Sequence, residues 1–134
     1  MKNLALKAKL SALWFFLAVG TIASPLVFAI WMPGVIEQII TGEVYGEVLS
    51  EGLMAIGILF SLIPMIMALL PLYLKDKANR WANFIVGIVF VFFGILGVYD
   101  SIQSIPSLII MEFPKLVVAA LIVWHAWKWP KSEA

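Results

Sequence analysis

The chain contains no cysteine and only one histidine, His125, among its 134 residues. The absence of cysteine excludes disulfide bonds, thiolate nucleophiles and thiolate metal ligands. One histidine is too few for a metal cluster within one chain, and neither a glycine-rich phosphate loop nor a nucleophile elbow occurs. We therefore predict no catalytic residue, no cofactor or cofactor-binding residue, no metal site, and a protein that is not an enzyme.

Charged residues are also scarce. They make up 13% of the chain, whereas soluble domains carry about 25%, and 63% of the residues are hydrophobic. The hydrophobic residues form four runs, at about 10–32, 53–74, 81–99 and 108–127. Each run has about 20 residues, enough for a helix to cross a hydrocarbon layer of roughly 30 Å. The sequence thus predicts an all-α integral membrane protein with four transmembrane helices.

Basic residues are missing from the whole connection between the first two runs, which instead holds four glutamates. Lys and Arg are retained on the cytoplasmic side of a membrane. Eight of the nine basic residues precede the first run, separate the second from the third, or follow the fourth: Lys2, Lys7, Lys9, Lys75, Lys77, Arg80, Lys128 and Lys131. We therefore predict a multi-pass protein of the plasma membrane with both termini in the cytoplasm.

The outer connection begins at Pro33-Gly34, where the first helix should end. Hydrophobic residues then recur at helical spacing from Val35 to Ile40, which predicts a short amphipathic helix on the outer surface. Beyond it, Glu43, Glu47 and Glu51 follow each other at intervals of four, which places three carboxylates on one helical face. We favour a solvated face over a cation-collecting stripe.

A single domain, 1–134, is expected, because no soluble linker or repeat is visible. The short loop 75–80 makes the second and third helices antiparallel neighbours, so the predicted architecture is an antiparallel four-helix bundle. Helices in lipid associate through small residues that allow close backbone approach. Suitable small residues are Gly20, Ser24, Gly57, Ser61, Gly87 and Gly94.

Two charges, Glu112 and Lys115, interrupt the fourth run. Residues three apart share a helix face, so these two can pair. Ionisable residues within membrane spans are costly and usually face a partner or a cavity. Two interpretations remain open: a structural ion pair whose lysine reaches toward the outer interface, or a functional site.

Three prolines, Pro25, Pro64 and Pro114, interrupt spans rather than bound them, and each leaves the carbonyl four residues earlier without its helical donor. Nearby hydroxyls can satisfy those carbonyls. The same hydroxyls can instead line a polar cavity in the outer half of the bundle, where a ligand would bind. The residues of this predicted cavity are Thr21, Ser24, Ser61, Glu112 and Lys115.

Aromatic residues lie near the ends of the runs, as interface anchors do. Those at the inner ends are Trp14, Tyr73, Trp81, Trp127 and Trp129, and those at the outer ends are Trp31, Tyr45 and Tyr99. His125 lies between Trp124 and Trp127. We interpret it as a polar tip in the headgroup region rather than as a proton carrier.

Four stretches, KLSALW at 9–14, PGVIE at 33–37, ANRWAN at 78–83 and AWKWP at 126–130, occur in this order along the chain. With them the sequence resembles a family of small four-helix prokaryotic membrane proteins classified only as a domain of unknown function. The resemblance implies the architecture and no activity. A tyrosine is usual in that family at the position of His125, which weakens any shared chemical role for the histidine.

Two functions follow from these features. We favour a non-enzymatic membrane module that acts by helix packing or by binding a ligand or partner. The alternative is an oligomeric transporter or channel for a small solute or ion, since one four-helix bundle leaves little room for a pathway. The lipid bilayer is the expected partner, nucleic acid is not, and a homo-oligomer or a membrane-protein partner stays open.

Overall fold

A computed structural model describes residues 3–44 and 46–130, so Lys2, Tyr45 and Lys131 lie outside the described residues. Within that part of the chain there are five α-helices, one two-stranded hairpin and one short 3-10 turn. They are α1 (Leu4–Trp31), α2 (Val35–Thr41), β1 (Glu43–Val44), β2 (Glu47–Val48), α3 (Glu51–Tyr73), α4 (Asp76–Gln103), the 3-10 turn Pro106–Leu108, and α5 (Ile109–Trp127).

Four of these helices, α1, α3, α4 and α5 with its preceding turn, are long and apolar enough to cross a membrane. They coincide with the four hydrophobic runs and confirm that each run forms a helix. α1 and α4 extend further than the runs that predicted them, because their first turns contain charged residues that helices tolerate well. The short helix α2 also confirms the expectation for the segment after Pro33.

The prediction that three glutamates lie on one helical face is wrong. Glu43 and Glu47 lie on opposite strands of the hairpin, where Glu43 pairs with Val48 and Val44 with Glu47. Helical geometry stops here because Gly42 and Gly46 have φ of +83° and +81°, a left-handed conformation that ends helices. A new helix starts only at Glu51, where the Ser50 hydroxyl accepts a hydrogen bond from the Leu53 N–H at 3.1 Å.

The long helices pack as two pairs, α1 with α3 and α4 with α5, and α1 joins the pairs by also contacting α5. The start of α1 lies against the end of α3, where Lys7 Nζ donates to the Leu74 carbonyl at 2.9 Å and Ser11 donates to the Ala68 carbonyl. α3 and α4 are consecutive in the chain but make few contacts. We call the end with the α3–α4 connection the basic end and the end with the hairpin the acidic end.

The half of the molecule toward the basic end contains the core. Trp14 is fully buried there, and its Nε1 donates to Asn83 Oδ1 at 2.7 Å. Asn83 Nδ2 donates in turn to Asn79, whose own amide donates to the Pro71 carbonyl at 2.6 Å. This chain of bonds satisfies buried polar groups and links α1, α3 and α4. The interpretation of Trp14 as a membrane anchor is therefore wrong, because its ring lies inside the protein.

Close helix approach is confirmed at two of the predicted small residues, Gly87 and Gly94. A Cβ at Gly87 would lie 2.9 Å from Val123, and one at Gly94 would lie 3.1 Å from Leu116. Gly20 is equally crowded, but by the side chain of Lys115. Gly57 is different, since a Cβ there would meet nothing within 4 Å.

Candidate functional site

The five residues of the predicted polar cavity all line one cavity of about 400 Å³. It lies between the four long helices, in the half of the molecule toward the acidic end. α1 contributes Thr21 and Ser24, α3 contributes Ser61, and α5 contributes Glu112 and Lys115. Side chains that are up to about ninety residues apart in sequence are thus brought to one place.

Glu112 and Lys115 form an ion pair, with Lys115 Nζ 2.8 Å from Glu112 Oε1. Their side chains are only 13% and 17% exposed. Because water hardly reaches these two side chains, each charge is stabilised by the other rather than by hydration. The predicted pairing is therefore present, and the pair also lines the cavity.

Two glycines on neighbouring helices make room for this pair. A Cβ at Gly97 of α4 would lie 2.6 Å from Glu112 Oε2, and one at Gly20 of α1 would lie 2.7 Å from Lys115 Cδ. Real Cβ atoms do not approach so closely, so a larger residue at either position would displace a charged side chain. The sequence analysis missed Gly97, although its spacing of three from Gly94 on one helix face was an available signal.

The two hydroxyls of α1 behave differently. Thr21 Oγ1 donates to the Leu17 carbonyl at 2.7 Å, a bond within its own helix. Ser24 Oγ is buried, in a residue only 8% exposed, and no partner for it exists among the described residues. An unpaired buried hydroxyl costs about 1–3 kcal/mol, so its presence calls for an explanation. Ser24 is among the residues that line the cavity, but its Oγ is covered by neighbouring atoms and is not open to the cavity.

The rest of the cavity wall is apolar and largely aromatic. Phe60 of α3 stacks on Phe90 of α4 with ring centroids 5.2 Å apart, and meets Phe93 edge-on at 5.0 Å. Leu17 and Gly57 complete this wall. The cavity therefore has polar groups from α1 and α5 and an aromatic surface from α3 and α4.

The cavity is least closed on the side between α3 and α4. These helices make few contacts, and every residue of α3 from 51 to 59 is exposed. Toward the basic end, in contrast, Leu10, Trp14 and Ile122 are fully buried and fill the interior. The cavity thus has few helix contacts on its α3–α4 side, where Phe60 still meets Phe90 and Phe93, and a filled interior below it.

His125 lies far from this cavity, near the end of α5. Its Nδ1 is 2.6 Å from the carbonyl oxygen of Leu121 in its own helix, and the ring is half-buried. The neighbouring Lys128 ammonium lies 4.0 Å from the centre of the Trp124 ring. These contacts are local to the helix end and form no site with the cavity residues.

Comparison with known proteins gives one match. A family model described as "Family of unknown function (DUF6326)" matches residues 3–134. No curated protein and no solved structure matches the chain. The match confirms the resemblance to a family classified only by its unknown function.

Proposed function

The chain belongs to DUF6326, a family of unknown function, and within it we propose a non-enzymatic membrane module that binds a small ligand in the cavity between its helices. The proposed architecture is a single domain, 1–134, whose four long helices form an antiparallel transmembrane bundle. The short helix α2 and the hairpin would lie at the outer surface.

The exposed surface of the four helices supports membrane insertion. Large apolar side chains are more than half exposed on each of them, including Ile30, Ile56, Phe92 and Ile110. An apolar surface of this extent is unfavourable in water, whereas hydrocarbon solvates it at no cost. The same helices are long enough to span the bilayer.

The distribution of charge supports the orientation. Asn3 donates to Asp76, and Lys7 forms an ion pair with Asp76 at 3.1 Å, so the start of α1 and the α3–α4 connection meet at one end. Phe84 and Trp127 bring the end of α5 to the same place, with ring centroids 5.5 Å apart. The basic end would be cytoplasmic, both termini with it, in the plasma membrane. The cavity then lies in the outer half of the bundle.

The observation that carries the proposal is the shielded Glu112–Lys115 ion pair in the wall of a cavity of about 400 Å³. This volume falls within the range of about 300–1,000 Å³ that small-molecule sites occupy. Ligand sites are mostly apolar with a few convergent polar groups, and the cavity has this composition.

The packed core supports binding rather than transport as the function of a single bundle. A transport pathway must reach the other side of the membrane, and the side chains of Leu10, Trp14 and Leu17 fill the interior below the cavity. A pathway would therefore have to run between copies of the chain. We propose binding as the function of the single bundle, and transport by an oligomer as the alternative.

Gly57 provides the test. Because a Cβ at Gly57 meets nothing within 4 Å, Gly57→Leu should place its side chain in the cavity without disturbing the helix contacts. A thermal-unfolding screen of the purified protein against small membrane-soluble compounds should find compounds that raise the Tm of the unaltered protein but not of Gly57→Leu.

Gly52→Leu is the matched control, since Gly52 is exposed at the start of α3 and does not line the cavity. It should respond to the same compounds as the unaltered protein does. Equal responses of Gly57→Leu and Gly52→Leu to every compound would contradict the proposed site.

A further inference from the structure

We infer that an anionic phospholipid binds at the basic end of the molecule, on the surface where the start of α4 lies against the end of α5. Six residues form this surface, which we call the basic seam: Arg80, Trp81, Phe84, Trp124, Trp127 and Lys128. The inference goes beyond the proposed ligand cavity, which lies in the other half of the molecule, and it does not depend on that cavity.

Aromatic contacts join the two helices at the seam. The Phe84 ring centroid lies 5.5 Å from that of Trp127 on α5 and 6.2 Å from that of Trp81 on its own helix. Together with Arg80 these residues line a notch of about 20 Å³, which is too small for a lipid headgroup. A lipid would therefore lie on the surface, where Trp81 and Trp127 are 51% and 63% exposed.

Two cations of the seam lie over tryptophan rings. The Lys128 ammonium is 4.0 Å from the centre of the Trp124 ring, and the Arg80 guanidinium carbon is 6.0 Å from the centre of the Trp81 ring. The face of an aromatic ring attracts a cation electrostatically without using its N–H groups. Both side chains are thus held against the protein surface, with N–H donors left for an anion.

The positive charge of the seam is not neutralised by the protein. Lys7, on the α1 side of the same end, forms an ion pair with Asp76 at 3.1 Å. In the described part of the chain, neither Arg80 nor Lys128 forms such a pair. Lys77 is exposed and precedes Arg80 by three residues, so it adds a further charge to the same face of α4. An anionic partner would complement this side of the basic end.

The chemistry of the seam fits a phosphate group at the membrane surface. A cytoplasmic location explains why Lys and Arg collect at this end, but it does not explain why two of them lie over tryptophan rings. Guanidinium and ammonium groups bind phosphate oxygens by charge-assisted hydrogen bonds. Tryptophan rings favour the headgroup level, and basic clusters beside the cytoplasmic leaflet attract anionic lipids.

The helix surface beyond the seam fits an acyl chain. Ile85 and Ile88 continue the face of Trp81 along α4 and are 56% and 46% exposed. On α5, Leu121 lies three residues before Trp124 and is 40% exposed. A lipid whose headgroup lies on the seam can pack its chains along these side chains, whereas a free anion has nothing to place there. The occupant that fits both parts is a phospholipid.

Native mass spectrometry of the protein in detergent micelles tests the inference, because it resolves individual bound lipids. The probes are phosphatidylglycerol, which carries a negative charge, and phosphatidylcholine with the same acyl chains. We expect the first phosphatidylglycerol to bind about fivefold more tightly than the first phosphatidylcholine, the effect of about one basic residue near an anionic group. In micelles the result does not depend on the orientation of the protein in a membrane.

Two double variants locate the site. Arg80→Gln with Lys128→Gln removes two charges from the seam and should reduce the preference to less than about twofold. Lys9→Gln with Lys75→Gln is the matched control, because it removes two exposed charges from the same end but none from the seam. The control should keep the preference of the unaltered protein.

Photolabelling of the unaltered protein gives a second measurement that needs no variant. A phosphatidylglycerol with a diazirine close to its headgroup, activated by light, should label peptides that contain 80–84 and 124–128. Labelling of α1 and α3 should be weaker, and an excess of unlabelled phosphatidylglycerol should suppress the labelling of the seam.

Several results would overturn the inference. Equal affinity of the unaltered protein for the two lipids would mean that it does not select an anionic headgroup. An equal loss of preference in the two double variants, or labelling spread evenly over the four long helices, would show an effect of general charge rather than a site at the seam. Displacement of the lipid by inorganic phosphate at constant ionic strength would identify a free anion as the occupant. None of these results bears on the Gly57→Leu test of the cavity.

Discussion

The residues that distinguish this molecule from a simple packed bundle are few and lie close together. Glu112 and Lys115 neutralise each other, and Ser24 remains unpaired beside them. A shielded pair depends on both members, because removing one leaves an uncompensated charge away from water. This dependence can be measured directly.

Separating the pair should cost more than removing it. Glu112→Gln alone leaves the Lys115 ammonium uncompensated and should lower the free energy of unfolding by about 3 kcal/mol. The double variant Glu112→Gln with Lys115→Met leaves no buried charge and should be more stable than Glu112→Gln. Thermal and denaturant unfolding in detergent would measure both variants. Additive losses from the two single changes would instead mean that the charges act independently in water.

At the scale of elements, α1 and α4 hold the pair of α5 in place through Gly20 and Gly97, because neither glycine has a Cβ in the way. The backbone of each glycine contacts a side chain of α5, so a methyl group added at either glycine would displace that side chain. α5 therefore carries the charges, and its neighbours determine where they can lie.

Gly97→Ala should be destabilising despite the better helix propensity of alanine. Its Cβ would lie 2.6 Å from Glu112 Oε2 and push the carboxylate away from its present position. Because Oε2 is the end of a flexible side chain that can shift, we expect a loss at the low end of the overpacking range, about 1 kcal/mol, measured as a lower Tm. In a Glu112→Ala background the same change should be harmless, since the clash is gone.

Gly57→Ala is the matched control. It gains the same helix propensity, of about 1 kcal/mol, and its Cβ meets nothing within 4 Å. It should be neutral or stabilising. A Gly97→Ala variant as stable as Gly57→Ala would show that the carboxylate does not lie against α4.

Those secondary-structure elements that a long sequence pattern specifies could be predicted. The four helices follow from apolar runs of about 20 residues, which leave few alternatives in either lipid or protein. The hairpin could not be predicted, because strands of two residues carry no periodic signal, and Glu43 and Glu47 have a spacing that also fits a helix. The left-handed glycines Gly42 and Gly46 decide the outcome.

Some residues of the candidate site could be predicted from the sequence for a similar reason. Charges and prolines inside apolar runs are rare enough to stand out, so Glu112, Lys115 and the hydroxyls near the prolines could be named. Their convergence, and the room that Gly97 provides, depend on how α4 packs against α5. The interpretation of Trp14 was wrong because the local sequence does not show which way an aromatic residue near the end of an apolar run points. Such a residue can face lipid headgroups, or it can face a partner inside the protein, as Trp14 faces Asn83.

At the scale of the whole molecule, the two ends differ in charge and in packing. The basic end is filled by the Trp14–Asn83 core, and the half toward the acidic end contains the cavity. On the proposed topology the closed half faces the cytoplasm, and the binding site belongs to the outer leaflet. The orientation thus decides from which leaflet a ligand enters.

Single cysteines in the otherwise cysteine-free chain test this orientation. In intact cells an impermeant thiol reagent should label Glu43→Cys, in the hairpin, and should leave Lys77→Cys, in the α3–α4 connection, unlabelled. After the membrane is permeabilised both should react, which confirms that both sites are accessible. Labelling of Lys77→Cys in intact cells would reverse the topology and place the cavity in the inner leaflet.

The most direct test of the central claim, a ligand-binding cavity with the Glu112–Lys115 pair in its wall, is an experimental structure of the protein in lipid. Our account predicts a non-protein molecule in the cavity, within hydrogen-bonding distance of Glu112 or Lys115 and in contact with Phe60 or Phe93. A structure in which Glu112 points into lipid and the Ser24 hydroxyl bonds to its own helix, with no space between the four helices, would contradict it.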